Sequence, residues 1–199
     1  LFATLNLVRV VAAQKLQAEP KDLEFSQTYL YFWDKLERYH RSIRYYLSIK
    51  KNISTEFQDQ YLNHLFQDAM GDGGQWDMAK DLVIKYGIVP KQAMPDSYHS
   101  KSSSLMNSFL LDMLKNDLTT LDKSDESVHD ELIEVMTDRA FNFLVGFLGQ
   151  PPKTFDWVYN SKEGVVELTN LTPQSLLALC KFNPDDWVSI VNDPRKENI

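Results

Sequence analysis

The chain has 199 residues, of which 43% are hydrophobic, 25% charged and 12% aromatic, a globular profile at a length that buries roughly 70% of the extended surface. Acidic residues outnumber basic ones by 28 to 21, a formal charge of −7, and with no Lys/Arg-rich face to offset it, binding to a phosphate backbone is disfavoured. Arg9, Lys15 and Lys35 interrupt the most apolar stretches, so no run approaches the roughly 20 apolar residues of a membrane span.

The opening LFATLNLVRVVAAQKL reads as a helix already in progress, with no capping residue before its first apolar side chain. Leu1, Leu5, Val8, Ala12 and Leu16 share one helical stripe, which Glu19-Pro20 stops. A second helix starts at Ser26 as N-cap, with Phe25 and Leu30 placed as a hydrophobic staple and Leu30, Trp33, Leu36, Ile43 and Leu47 on the buried side. Ser54 or Thr55 caps a third, carried by Phe57, Tyr61, Leu65 and Phe66. AMGDGGQ breaks it, because glycines weaken a helix and permit backbone angles other residues avoid.

Trp76, Ala79, Val83 and Tyr86 mark a fourth helix, ending at Gly87. Pro90, Pro95 and the serines from Ser97 to Ser104 indicate a loop. Met106, Phe109, Met113 and Leu121 outline the next helix, and Val128 to Leu148 another, closed by Gly149 and Pro151-Pro152. TFDWVYNSKEGVVELTNL alternates around a turn-rich centre and predicts a β-hairpin. Thr172-Pro173 caps a short helix, and DDWVSIVNDPR reads as a strand leading to a proline-terminated turn. The expected architecture is a helical body with a little β structure towards the C-terminal end.

Cys180 is the only thiol, so it pairs with no other cysteine of the chain, which fits a reducing compartment. It follows an apolar helical stretch instead of opening a helix, so it reads as a buried, inert residue. His40, His64, His99 and His129 lack ligand spacing, and no metal is expected. DKSDESVHDE reads as a first-turn charge cluster favourable to the helix dipole, and Tyr29, Tyr31, Phe32 and Trp33 as core packing. The sequons at Asn52 and Asn170 read as unmodified. GDGGQWDM stands apart: its glycines would let an exposed backbone come close to a ligand and pair with it as a peptide strand does, although a plain helix-breaking turn has the same composition.

Taken in order, FSQTYLYFWDKLER, DGGQWDM, KYGIVPK and VNDPR closely resemble the bleomycin hydrolase and aminopeptidase C family of papain-like cysteine peptidases, and the match extends from Leu1 to Arg195. The resemblance implies an α+β papain-like fold, of which this chain would be the mostly helical half with a C-terminal hairpin, the β-rich half lying beyond it. It implies three regions: residues 1–91 in the helical half of the core, 92–149 as a helical insertion, and 150–199 as hairpin and connector. The family's catalytic cysteine, in a Cys-Trp pair just before a segment like Leu1-Phe2-Ala3-Thr4, would precede the chain, as would its oxyanion glutamine, and its histidine and asparagine would follow. Asp72, Gly73 and Gly74 match the segment whose backbone lines the substrate cleft, with Trp76 packed behind it.

By the same resemblance the parent protein would be a cytoplasmic thiol aminopeptidase acting on peptide substrates as a homohexamer, with no cofactor, and this chain alone would be inactive. The competing expectation is a naturally truncated, non-catalytic helical module for assembly or binding.

Overall fold

The computed structural model describes residues 2–188. Eight α-helices and one hairpin lie within them. Helix α1 (Phe2–Lys15) buries Leu5, Val8 and Ala12, the expected stripe. Helix α2 (Gln27–Asn52) is the longest element and touches α3 (Thr55–Asp68), α4 (Trp76–Tyr86), α6 (Ser104–Asp122) and α7 (His129–Leu148). Its start is held twice over by Ser26, whose Oγ accepts from the Tyr29 N–H at 3.0 Å and donates to the Met94 carbonyl at 2.5 Å. One hydroxyl thus caps the helix and ties it to a segment 68 residues away.

Two of the sequence motifs meet here. Phe25 forms a bridge with Pro90, the Ser26 N–H donates to the Val89 carbonyl at 2.8 Å, and the Lys91 N–H donates to that of Glu24 at 2.8 Å. The Trp33 ring stacks on Tyr86 at 4.1 Å between centroids and 8° between planes, and the Tyr29 hydroxyl donates to the Tyr86 carbonyl at 2.7 Å. The end of α4 is therefore fixed to the first turns of α2. Tyr29 and Phe32 are buried, as the core-packing reading expects.

Gly87 closes α4 with φ 72° and ψ −157°, a region essentially restricted to glycine. A Cβ there would lie 2.4 Å from the carbonyl carbon of Pro173, and the neighbouring Ile88 N–H donates to the Pro173 oxygen at 3.2 Å. Pro173 opens α8 (Pro173–Cys180), where Thr172 and Ser175 form a reciprocal capping box. The hairpin pairs β1 (Phe155–Ser161) with β2 (Gly164–Leu171) antiparallel across a two-residue turn, Ser161 facing Gly164. Its tip is pinned to the end of α1, the Lys162 N–H donating to the Gln17 carbonyl at 2.7 Å.

Several expectations change. Helix α3 buries no residue: Phe57 is 51% and Tyr61 41% exposed, and Leu62, Leu65 and Phe66 pack on the core while only partly buried. On α6 the buried stripe is Met106, Leu110, Leu114, Leu118 and Leu121, which leaves Phe109 48% exposed. The serine-rich stretch expected as loop contains a short helix, α5 (Tyr98–Lys101), capped by the Ser97 side chain. Asp185 and Asp186 sit in a short 3-10 turn (Pro184–Asp186) instead of a strand. The expected VNDPR turn lies outside the described residues.

The acidic stretch behaves as expected: Asp125 accepts from the Ser127 N–H at 2.9 Å, and Asp130 and Glu131 occupy the first turn of α7.

Candidate functional site

The segment from Gly71 to Gln75 links α3 to α4 and lies on the flank of α2. Ala69 and Met70 are buried, but residues 71–75 are exposed or half-exposed, so no apolar side chain anchors the loop. Two cations of α2 do. The Lys35 side chain is 0% exposed, and its Nζ donates to the carbonyls of Met70 at 2.9 Å and Gly71 at 2.7 Å and to Asp72 Oδ1 at 2.7 Å. Three acceptors match the three N–H bonds of an ammonium.

Burial pulls Lys35 below the ordinary lysine value, opposed by its contact with Asp72. Arg38, also buried, donates Nε to Asp34 Oδ2 at 2.9 Å and a terminal nitrogen to the Gly73 carbonyl. Burial raises the Asp34 carboxyl, while Arg38 acts against that rise.

Asp72 gathers donors from two further directions. Its Oδ1 accepts from the Tyr31 hydroxyl at 2.9 Å and Asn107 Nδ2 at 3.0 Å, and its Oδ2 accepts from Ser103 Oγ at 2.6 Å. Burial alone would raise this carboxyl. Hydrogen bonds from Lys35, Ser103 and Asn107, with the Lys35 charge, outweigh burial and hold it well below the usual carboxylate range. The loop is thereby joined to α2 on one side and to α6 on the other.

Gly73 and Gly74 are exposed, and neither has a positive φ. Their glycine identity is therefore not required by backbone angle, contrary to the expectation for this stretch. It leaves open space instead: a Cβ on Gly73 would meet nothing within 4 Å, and one on Gly74 only Arg38 and Met78 at 3.7 Å and 3.8 Å. Among the described residues, the N–H and C=O of Gly74 have no hydrogen-bond partner. A depression of about 30 Å³ beside Gly73, Gly74 and Met78 has room for about one water. On the Asp72 side a cleft of about 440 Å³ is lined by Thr28, Tyr31, Asp72, Asp96 and Ser103. Trp76 is half-buried and packs on the core.

The other candidates are placed elsewhere. Cys180 is fully buried, and burial pushes its thiol up to about 12, the opposite of nucleophile activation. His40 faces Thr137 at 3.3 Å, His64 is exposed, and His99 packs on the Phe147 ring at 4.7 Å. No three His, Cys, Asp or Glu side chains gather to hold a metal ion among the described residues. No helix there is long and apolar enough to cross a membrane.

Sequence reasoning missed Lys35 and Arg38, and with them Tyr31, Ser103 and Asn107. A signal existed: Tyr31, Lys35, Arg38 and Ser42 recur at helical spacing, which places a polar row on α2 beside its apolar side.

A long helix α2, a glycine-rich loop clamped to its flank and one antiparallel hairpin make up a mostly helical α+β unit. The chain belongs to the Peptidase C1-like family, whose model matches residues 1–199. Among individual proteins it is similar to aminopeptidase W of Lactobacillus delbrueckii subsp. lactis, with 35% identity over 99% of this chain and 45% of the relative. Human bleomycin hydrolase is 31% identical over 100% of this chain and 45% of its own length. Aminopeptidase C of Listeria monocytogenes is 33% identical over 99% and 44%.

The crystal structure of PepW from Lactobacillus rhamnosis superposes with a TM-score of 0.85 at 32% identity, over 98% of this chain and 44% of that one. The expected family and α+β fold class are thereby borne out. The chain spans a little under half the length of these relatives.

Proposed function

We propose that this chain is the helical, cleft-forming part of a cysteine aminopeptidase, in which the backbone of Gly73 and Gly74 forms one wall of the peptide groove. The observation that carries the reading is the free edge of Gly74. Among the described residues its N–H and C=O have no hydrogen-bond partner, the residue is exposed with only the Arg38 and Met78 side chains near where a Cβ would stand, and the loop is held by buried cations. Such an edge pairs with an extended peptide as one strand pairs with another. Similarity to proteins named as aminopeptidases and bleomycin hydrolases supplies the reaction class.

Cys180 is buried with its thiol raised, so the nucleophile is assigned to a cysteine of the parent protein outside this chain. Its thiolate would attack the first peptide carbonyl, the C–N bond would break with a histidine protonating the departing amine of the shortened peptide, and water, deprotonated by that histidine, would then resolve the acyl-enzyme. Without those groups the chain alone is expected to be inactive. In the parent protein the exposed Phe57, Tyr61, Leu105 and Phe109 suit subunit contacts in a homo-oligomer, a hexamer by family resemblance, and a cytoplasmic location fits the same resemblance.

The test is hydrolysis of aminoacyl-coumarin substrates by the full-length product and by a version with its upstream cysteine changed to serine. Activity lost in the serine version supports the thiol mechanism; undiminished turnover overturns it.

A further inference from the structure

We infer that Lys35, acting through Asp72 and alongside Arg38, is the positioning residue that presents the free edge of Gly74 to a bound peptide; this rests on the reading of Gly73 and Gly74 as cleft wall. The choice of a lysine here needs an explanation. Burying an ammonium costs several kcal/mol unless every proton is matched, and an apolar side chain of similar volume commonly serves stability as well or better. Lys35 nevertheless sits at 0% exposure, with its donors spent on the loop and not on its own helix.

Its acceptors explain what the charge achieves. The carbonyls of Met70 and Gly71 turn inward to Lys35 and that of Gly73 turns inward to Arg38. Gly74 is the loop glycine beyond this clamp, and among the described residues its N–H and C=O have no hydrogen-bond partner. Between Met70 and Trp76 no buried residue fixes the chain, so the direction of that free edge depends on these polar contacts.

Asp72 completes the hold from the other side. Its carboxylate takes donors from Lys35 and Tyr31 of α2 and from Ser103 and Asn107 at the start of α6. With those four donors in place the carboxylate is satisfied within the protein, so Asp72 acts as a strut between α2 and α6 and leaves peptide contact to the glycine backbone. The insertion helix thereby supports the groove wall across a distance of 35 residues in sequence between Asp72 and Asn107.

The test uses the full-length enzyme with Lys35→Met, Asn107→Ala and Gly74→Val, and Tyr39→Phe as a stability control, since Tyr39 donates to the buried Asp117 away from the loop. Steady-state kinetics are read with amide exchange of residues 71–76. Lys35→Met is expected to raise KM about tenfold with kcat within about twofold, because a misplaced wall weakens binding without touching the reacting atoms. Exchange in 71–76 should quicken by a similar factor.

Asn107→Ala should move both readouts in the same direction by less, and it decides the matter if Lys35→Met does not fold. Tyr39→Phe should lower stability and leave KM alone. Unchanged KM in folded Lys35→Met, or in Asn107→Ala when the former does not fold, overturns the clamp while Gly74→Val still raises KM. Unchanged KM in Gly74→Val overturns the wall reading itself.

Discussion

Gly87→Ala is expected to be among the most damaging small substitutions in the chain, through two separable effects. The first is conformational: φ 72° with ψ −157° costs a non-glycine residue about 1–3 kcal/mol. The second is steric: the new methyl would stand 2.4 Å from the Pro173 carbonyl carbon, 2.5 Å from its oxygen and 2.7 Å from the Gln174 nitrogen. All three are backbone atoms, so relief requires α4 and α8 to move apart, at an overpacking cost of about 1–3 kcal/mol. That movement also stretches the Ile88 to Pro173 hydrogen bond.

A total on the order of 4 kcal/mol corresponds to a fall in Tm of roughly 8–16 °C for a chain of this size. Gly149 provides the control, since its φ is 92° and a Cβ there would meet nothing within 4 Å. Gly149→Ala should therefore show the conformational cost alone, about 1–3 kcal/mol. Gly73→Ala, with neither positive φ nor neighbour, should be close to neutral. Thermal and urea unfolding followed by circular dichroism on the three variants is the assay. Equal losses for Gly87→Ala and Gly149→Ala would refute the close approach of α4 to α8.

Three further outcomes follow from buried and charged groups. Cys180, buried with its thiol pushed up to about 12, should resist iodoacetamide at pH 8 in the native protein and react fully once unfolded; rapid native labelling would contradict its placement. Asp72 has its native pKa lowered, so its stabilising contribution is present above the unfolded value of about 3.9 and is lost as the pH falls below it. Asp72→Asn should accordingly be less stable than the natural chain at pH 7, with the gap closing below about pH 4; a gap independent of pH would contradict the charge-based clamp. Tyr39→Phe, which removes a donor from buried Asp117, should cost about 1–3 kcal/mol in urea unfolding, and a neutral result would deny that hydrogen bond a stabilising role.

The features that sequence foretold are those whose cause is local. Ser26, Gly87 and the Thr172-Pro173 pair act on the residues beside them, and each stands where its capping chemistry places it. The hairpin declared itself by alternation around a short turn. The features that escaped have distant causes. Lys35 and Arg38 do not stand out because the loop acceptors they hold lie 35 to 37 residues away in sequence.

Phase was the other difficulty. On α6, Phe109 and Met113 suggested a stripe, but Leu110 and Leu114 face the core at zero exposure, since adjacent apolar residues leave the helix rotation to its neighbours α2 and α7. Likewise α3 carries apolar side chains at helical spacing, and among the described residues no element covers Phe57 and Tyr61. At the glycine loop, composition pointed to the right segment for a different reason than the one observed. The glycines supply open space over a backbone edge, and the angles are ones other residues also adopt.

The sharpest measurement is a crystal structure of the full-length protein, the cysteine proposed as its nucleophile changed to serine, with an uncleaved peptide bound. The peptide backbone is expected to run beside Gly74 and exchange hydrogen bonds of about 2.7–3.2 Å with its N–H and C=O, while Asp72 keeps its contacts to Lys35, Ser103 and Asn107. A peptide bound away from Gly73 and Gly74, leaving that edge to solvent, would contradict the assignment of the loop as the groove wall.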